Sequence, residues 1–190
     1  MKPDERDAEE WVKQAKNGSR PAFDQLVTFY QSPILALTFQ ILGDYDEAKD
    51  AAQDAFIRAF EQISGFREKS RFSTWLYRIA VNVSLDRTRR RKRRKTDPLT
   101  EKELSRQVDE SDNPAQQYEH QQQNRQQHNR LVKAMQALSK QQRTATVLKY
   151  FHEKSYKEIS EILNCSKATA RTHVFRALQH MKEYLEVNHE

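Results

Sequence analysis

The segment FREKSRFSTWLYRIAVNVSLDRTRRRKRRK, residues 66–95, decides the fold of this 190-residue chain. Its apolar residues recur at the offsets of one helix face, which predicts an amphipathic helix from about 72 to 90. The residues expected to pack inward are Phe72, Trp75, Leu76, Ile79, Ala80 and Val83. A polar stripe follows another face and consists of Thr74, Arg78, Asn82 and Asp86. One side of this helix should therefore belong to a core, while the polar side is available to a ligand.

Eight cations occupy the nine positions from Arg87 to Lys95, directly after the amphipathic pattern. Such a block can hold several phosphates and makes binding strongly dependent on salt. Aromatic rings at the start of the segment add surfaces for unpaired bases, a combination typical of single-stranded nucleic acid binding. A solvated charged tail is the alternative, because charge runs are common. The aromatic residues before the block and a DNA-reading motif downstream favour nucleic acid.

The composition of the chain favours a helical protein in the cytoplasm. Hydrophobic residues make up 36% and charged residues 32% of the chain, and long stretches lack Gly and Pro, as in helices with narrow apolar stripes. No apolar run could cross a membrane, and the amino terminus lacks the apolar core of a secretory signal. The single Cys165 allows no internal disulfide. We therefore expect a cytoplasmic protein with no direct membrane insertion.

Charge is distributed unevenly along the chain, although the net value is only +6. Residues 128–190 hold eleven bases against six acids, and they form a second basic zone after residues 87–95. Residues 96–127 hold seven acids against three bases, with two prolines, many glutamines and few aliphatic side chains. Such a composition cannot bury enough apolar area to order itself. The pattern predicts two domains, 1–95 and 128–190, joined by a flexible acidic linker at 96–127.

Helices are expected throughout both domains, so the predicted fold class is all-α with two small helical domains. Before the central helix, the pattern predicts helices at about 7–17, 20–42 and 44–63, and Pro33 should kink or split the second. The third should bury a stripe made of Ala48, Ala52, Ala55, Phe56, Ala59, Phe60 and Ile63. After the linker, helices are expected at about 129–138, 140–151, 155–163 and 166–186.

The segment SYKEISEILNCSKATARTHVFRAL, residues 155–178, is typical of a helix-turn-helix, whose second helix enters the major groove. Ser155 and Glu158 have the spacing of a capping box at the start of the first helix. Asn164 lies where the turn needs a left-handed residue, a conformation that Asn tolerates well. Ser166 can cap the second helix. These local signals support the boundaries of both helices.

The two sides of the second helix separate by angle. The residues expected to be buried are Ala170, Val174, Ala177, Leu178, Met181 and Leu185. A neighbouring sector holds Ala168, Arg171, Thr172, Phe175 and Gln179, with Arg176 at its margin. Arginine can pair with guanine and an exposed Phe can contact a thymine methyl, so this sector should read bases. In the alternative, Phe175 is an ordinary core residue and the arginines are only solvated.

The sequence contains no pattern typical of an enzyme. Its three glycines form no phosphate-binding loop, and its carboxylates show no paired acid and base spacing. The six histidines have no metal-ligand spacing with Cys165, although His173 and His180 can share a helix face. Cys165 is most simply a packing residue. We therefore expect no catalytic residues, no metal, no cofactor and no small-molecule substrate.

These elements, in this order, resemble the two conserved regions of the extracytoplasmic-function (ECF) group of bacterial RNA polymerase sigma factors. DYDEAKDAAQDAFIRAF resembles the polymerase-docking helix of region two, and FREKSRFSTWLYRIAVNVSLDRTRR resembles its promoter-melting part. The helix-turn-helix resembles that of region four. The resemblance implies a region-two helical bundle, a region-four domain, and an alternative sigma factor that directs promoter-specific initiation with core RNA polymerase.

The same resemblance implies three groups of site residues. The polymerase-binding residues would be Asp50, Gln53 and Asp54. The residues contacting the non-template strand of the minus-ten element would be Phe66, Arg67, Lys69, Ser70, Arg71, Phe72, Thr74, Trp75, Arg78, Asn82 and Arg90. The residues contacting the minus-thirty-five duplex would be Ser166, Lys167, Arg171, Thr172, Phe175 and Arg176.

The resemblance also implies partners and leaves one rival function. Relatives in this group are commonly inhibited by an anti-sigma factor, so such a partner is expected along with core polymerase and promoter DNA. The free protein is expected to be a monomer. The rival is a conventional helix-turn-helix regulator, which would bind duplex operators as a dimer without polymerase. That rival gives no role to residues 66–95.

Overall fold

The structure is a computed structural model, and it describes residues 5–95, 130–131 and 133–187. Helices α1 (Glu5–Lys16), α2 (Arg20–Leu42), α3 (Tyr45–Gln62) and α4 (Phe72–Lys95) form the first unit. A short 3-10 turn, Ile63–Gly65, follows α3. The second unit contains a helical segment at 133–137, then α5 (Lys140–Tyr150), α6 (Tyr156–Leu163) and α7 (Lys167–Val187). The described residues contain no strand, which confirms the all-α prediction.

Local signals begin and end these helices where the sequence predicts. Asp44 caps α3 by accepting a hydrogen bond from the Glu47 backbone at 2.8 Å, and Gly43 before it has a left-handed φ of 74°. The capping box at the start of α6 forms, because Ser155 Oγ and the Glu158 carboxylate each accept from the other residue's backbone N–H. Asn164 adopts a φ of 51°, as predicted. The helix-turn-helix geometry therefore follows from short-range chemistry.

Two boundaries differ from the sequence expectation. Helix α2 runs unbroken from Arg20 to Leu42 with Pro33 inside it, so the chain is not split there. Helix α4 continues to Lys95 instead of ending near 90, so the backbone of the basic block is a helical extension. The predicted flexible linker, 96–127, lies outside the described residues.

One connected core joins the two units. Helix α4 packs against α2 and α3 within the first unit and against α6 of the second, while α2 also contacts α5. Side chains at the centre of this core have almost no exposed surface, and they include Leu26, Ile34, Leu37, Leu76, Leu148, Ile159 and Ile162. Burying each such side chain contributes roughly 1.5–3 kcal/mol. The helix-turn-helix thus rests directly on α4.

Candidate nucleic-acid interface

Three aromatic rings support the loop from Gly65 to Arg71. Phe66 lies 5.1 Å from Trp75 and 5.8 Å from Phe72 between ring centroids, and Phe72 lies 5.5 Å from Trp75. Each ring is no more than 8% exposed. The inward packing predicted for Phe72 and Trp75 is confirmed. The three rings present little surface to a base in this conformation. They instead form a buried cluster that packs against the loop and supports it.

The loop itself presents cations. Arg67, Lys69 and Arg71 are exposed, and Ser70 is half-buried. A cleft of about 330 Å³ separates the loop from α1, and its lining comes from both. The lining residues are Ala8, Glu9, Val12, Lys13, Tyr30, Phe66, Glu68, Ser70, Arg71, Phe72 and Ser73. Small-molecule sites of this size, about 300 Å³ and above, can enclose a planar ring.

Helix α4 continues the surface beyond the loop. Arg78 and Asn82 are exposed, as predicted, and Arg90 is exposed further along the same helix. Thr74 is only 3% exposed, so its assignment to the polar stripe is wrong. The reason is that α4 is packed by three helices, and these bury more of its circumference than one apolar stripe predicts. Thr74 cannot contact DNA without a change in packing.

Part of the basic block pairs with acids of the same chain. Arg87 Nη2 lies 2.6 Å from Asp54 Oδ2, and its Nη1 lies 3.6 Å from Asp50 Oδ2. Arg91 lies 3.4 Å from the Glu47 carboxylate, and Arg89 pairs with Asp86 at 3.0 Å. These arginines therefore have acidic partners within the chain, and binding of several phosphates by the block stays a prediction. The pairs made by Arg87 and Arg91 join α3 to α4, whereas the pair of Arg89 with Asp86 lies within α4.

The predicted polymerase-binding residues lie together on α3. Asp50 and Gln53 are exposed, and Asp54 is half-buried beside Arg87. Two apolar neighbours on the same helix face were missed, because Ile57 is 49% exposed and Phe60 is 50% exposed. The prediction that Phe60 is a core residue is wrong, although its ring does contact Phe23, with 5.1 Å between the ring centroids. The offsets from Gln53 to Ile57 and Phe60 would have identified this mixed surface.

The second helix of the helix-turn-helix presents the predicted sector to solvent. Ser166, Lys167, Thr172 and Arg176 are exposed, and Phe175 is 66% exposed, which excludes the core alternative for this ring. Arg171 is held in place, since its guanidinium lies 5.5 Å from the Tyr156 ring centroid. The other side of α7 is buried as expected, at Ala170, Val174 and Ala177. Leu178, expected to be buried, is 42% exposed, so that expectation is wrong.

Side chains that the sequence analysis did not single out join the two units. The His152 ring lies between them, with Nδ1 3.0 Å from the Tyr77 hydroxyl and Nε2 3.0 Å from Gln40 Oε1. Lys154 Nζ lies 4.6 Å from the Tyr77 ring centroid. Burial raises the pKa of Tyr77 to about 12. Burial first, and the nearby Lys154 ammonium second, lower the pKa of His152 to about 4, so the imidazole is neutral at pH 7.

The loop from Gly65 to Arg71 also interacts electrostatically with the second unit. Burial alone would raise the pKa of Glu158, but hydrogen bonds from Ser155 and the charges of Lys154 and Arg71 lower it. Arg71 belongs to the loop, whereas Glu158 lies in the first helix of the helix-turn-helix. The loop and the first helix of the helix-turn-helix are therefore electrostatically coupled in this conformation.

Comparison with known proteins identifies the family. Residues 26–94 match Sigma-70 region 2, and residues 128–181 match Sigma-70 region 4. The chain is 36% identical to the ECF RNA polymerase sigma factor SigW of Bacillus subtilis, over 92% of this chain and 94% of the relative. The chain belongs to the ECF sigma factors. Sigma factors are transcription initiation factors and not enzymes, so the prediction of a non-enzyme is confirmed.

Solved structures share the fold of this sigma factor. CnrH in complex with the cytosolic domain of CnrY aligns with a TM-score of 0.70 at 20% identity, covering 96% of this chain and 99% of that chain. The sigma factor RpoE of Bartonella quintana, in complex with the anti-sigma factor NepR, aligns with a TM-score of 0.66 at 23% identity, covering 87% and 98%. At these identities the likeness shows the fold alone.

Two expected absences can be described for part of this sigma factor. Across residues 5–95, 130–131 and 133–187, no three His, Cys, Asp or Glu side chains are grouped as metal ligands would be. In the same part of the chain, no helix is both long and apolar enough to span a membrane.

Proposed function

We propose that this chain is an alternative sigma factor that binds core RNA polymerase and directs initiation at specific promoters. The single observation that supports this most is the presence of two exposed surfaces that carry cations, in sigma-factor order. The exposed loop and α4 surface belong to the part that matches region two, and the exposed α7 sector belongs to the part that matches region four. A conventional regulator would need only the second.

The proposed organisation follows the sequence expectation. Residues 1–95 form region two, 96–127 connect the regions, and 128–190 form region four. Asp50, Gln53 and Asp54 dock on the polymerase, and the exposed Ile57 and Phe60 extend that surface. Because the partner is polymerase on chromosomal DNA, the protein works in the cytoplasm. It acts as a monomer with one polymerase.

Minus-ten recognition is assigned to the loop and α4. Arg67, Lys69 and Arg71 are exposed on the loop, and Arg71 lines the cleft beside α1, where phosphates and an unstacked base can be held. Arg78, Asn82 and Arg90 continue the surface along α4. The buried rings of Phe66, Phe72 and Trp75 support the conformation of the loop. A base can contact these rings only if the loop changes conformation and exposes them.

Energetics require the polymerase as a partner in melting. Opening about ten base pairs costs on the order of 14 kcal/mol, at a mean stacking energy near 1.4 kcal/mol per step. Holding one unpaired base contributes about 1–3 kcal/mol. Capture of one or two bases can therefore nucleate melting, but most of the free energy must come from contacts made by the polymerase. The free protein should bind promoter DNA weakly and melt none of it.

An anti-sigma factor is the proposed inhibitor. The solved RpoE structure from Bartonella quintana is a complex with the anti-sigma factor NepR, and it shares this fold. The packing of α5 and α6 onto the first unit gives an inhibitor a compact surface to bind. A protein bound across both units would keep them together and away from polymerase.

Run-off transcription on fragmented genomic DNA tests the proposal directly. Core polymerase alone should give no discrete products, and adding this chain should give products that share a minus-ten and a minus-thirty-five sequence. Permanganate footprinting of one such promoter should show reactive thymines only when polymerase and this chain are both present. Thymine reactivity with this chain alone, or a dimer that binds duplex DNA and ignores polymerase, would contradict the proposal.

A further inference from the structure

An ion pair with a residue distant in sequence holds Glu68, the residue of the loop that has a left-handed backbone conformation. Lys16, the last residue of α1, donates a hydrogen bond to the Glu68 carboxylate across 52 positions of sequence. Glu68 has a φ of 54°, in the left-handed region that non-glycine residues rarely adopt. Such a conformation costs free energy and persists only where surrounding contacts hold it. The Lys16 side chain supplies one such contact.

The backbone conformation of Glu68 affects the direction of the neighbouring cations. It is the single acid in the loop from Gly65 to Arg71, and it stands between the exposed Arg67 and Lys69. A change of its φ to the ordinary negative range would redirect both cations. The Lys16 hydrogen bond and charge lower the pKa of Glu68, and Lys13 adds to the effect, so the carboxylate remains available to the pair.

Lys16 is itself anchored to the aromatic cluster beneath the loop. Its side chain is only 24% exposed, and Nζ lies 6.0 Å from the Phe66 ring centroid. Phe66 in turn contacts Phe72 and Trp75. Helix α1 also contacts the 3-10 turn before the loop and forms the opposite wall of the cleft. Helix α1, which lies outside the matched region-two segment, is thus built into the site.

We propose that Lys16 is a positioning residue for minus-ten recognition, holding Glu68 so that the loop admits an unpaired base between itself and α1. The inference rests on the proposed function and extends it to α1. A second effect works in the same direction, because the Lys16 ammonium screens the Glu68 carboxylate, which would otherwise repel the phosphates. The two effects make opposite predictions for one substitution, Glu68→Gln.

Fluorescence of holoenzyme on forked promoter DNA separates these effects. The probe is a promoter obtained from the run-off selection, with 2-aminopurine at each non-template minus-ten position in turn. Lys16→Met should weaken binding about three- to tenfold and reduce the fluorescence change of the unstacked base. Glu68→Gln should do the same, because the loop loses the ion pair with Lys16 that holds residue 68. Lys16→Glu combined with Glu68→Lys should restore both signals to within about twofold.

Matched controls exclude a general structural effect. Lys182→Met removes an exposed ion pair with Glu186 on α7, and it should leave the fluorescence change at wild-type size. Thermal midpoints of all variants should stay close to wild type, and affinity for a minus-thirty-five duplex should not change.

Three results would overturn the inference. Tighter binding by Glu68→Gln would show that Glu68 only repels DNA. Wild-type behaviour of Lys16→Met would show that the pair has no role in recognition, and failure of the charge-reversed pair to recover would remove the positioning mechanism. If wild-type holoenzyme fails to initiate from any promoter, the proposed function fails first and this inference falls with it.

Discussion

The Tyr77 hydroxyl lies 3.0 Å from His152 Nδ1, and this contact joins α4 to the loop between α5 and α6. The other ring nitrogen, Nε2, faces Gln40 Oε1 on α2 at 3.0 Å. Because a carbonyl oxygen only accepts, Nε2 carries the hydrogen and Nδ1 accepts from Tyr77. The neutral imidazole therefore satisfies both partners at once. Protonation would add a second donor toward Tyr77 and place a charge beside Lys154.

This geometry predicts a pH-dependent contribution of His152 to stability. Its folded pKa, about 4, lies below the ordinary value of 6.5, so the unfolded chain binds the proton more readily between these values. The contribution is fully present above pH 6.5 and is lost as the pH falls toward 4. Urea unfolding should show that His152→Gln lowers the free energy of unfolding more at pH 7.5 than at pH 4.5.

Tyr77→Phe provides the matched comparison for that prediction. It removes the hydroxyl but leaves the titrating imidazole, with Lys154 and Gln40 still facing it. Combined with His152→Gln at pH 7.5, it should be less than additive, because both changes remove the same hydrogen bond. A loss from His152→Gln that is equal at both pH values would argue against a neutral buried imidazole.

The second prediction concerns Arg87, which pairs with Asp54 and Asp50. Arg87→Ala should weaken binding to core polymerase, because the Asp54 carboxylate loses the group that orients it. Arg87→Lys should recover only part of the affinity, since an ammonium cannot present two donors in the fixed geometry of a guanidinium. Fluorescence anisotropy of labelled protein titrated with core polymerase measures both. Arg90→Ala is the control, and it should affect promoter DNA and leave polymerase affinity unchanged.

The third prediction separates the core from the docking surface. Leu76 has no exposed surface, so Leu76→Ala should lower the free energy of unfolding by about 2–5 kcal/mol. Ile57 is 49% exposed, so Ile57→Ala should change stability by only about 0.5 kcal/mol. It should nevertheless weaken polymerase binding. Equal stability losses in the two variants would show that Ile57 is a packing residue and would remove it from the proposed docking surface.

Features set by local chemistry were predictable from the sequence. Ser155 with Glu158 and the left-handed Asn164 depend on neighbours within a few residues, and all appear as expected. The exposure of Phe175 was also predictable. Only one side of α7 is buried, and the turn of about 100° per residue of an α-helix places Phe175 away from that side. Patterns of this kind need no knowledge of distant residues.

Features that depend on distant residues were not predictable in this way. Thr74 is buried because α4 is enclosed by three helices, and Phe60 is half-exposed because the adjoining surface of α3 is left uncovered. The pairing of Arg87 with Asp54 joins positions 33 residues apart, and that of Lys16 with Glu68 joins positions 52 apart. Charge composition indicates that such residues exist, but only the packing of helices decides which become partners.

The last prediction tests minus-thirty-five recognition by α7. Arg171→Ala should weaken binding to a cognate duplex by about 1–3 kcal/mol, the value of one good pairing with a base edge. Phe175→Ala should also weaken it, while leaving stability almost unchanged because the ring is 66% exposed. Electrophoretic mobility shifts with holoenzyme on cognate and scrambled duplexes measure the change. Glu183→Ala, exposed on the same helix, is the control and should bind both duplexes as wild type does.

Discrimination is the quantity that decides the role of Arg171. A residue that reads a base should lose affinity for the cognate duplex and keep it for the scrambled one, so the ratio falls. A residue that only holds phosphates should lose affinity for both and leave the ratio intact. Tyr156→Leu adds an independent test, because it removes the ring that holds the Arg171 guanidinium and leaves its charge in place. It should lower the ratio by less than Arg171→Ala does, and an unchanged ratio in both variants would assign Arg171 to the phosphate backbone.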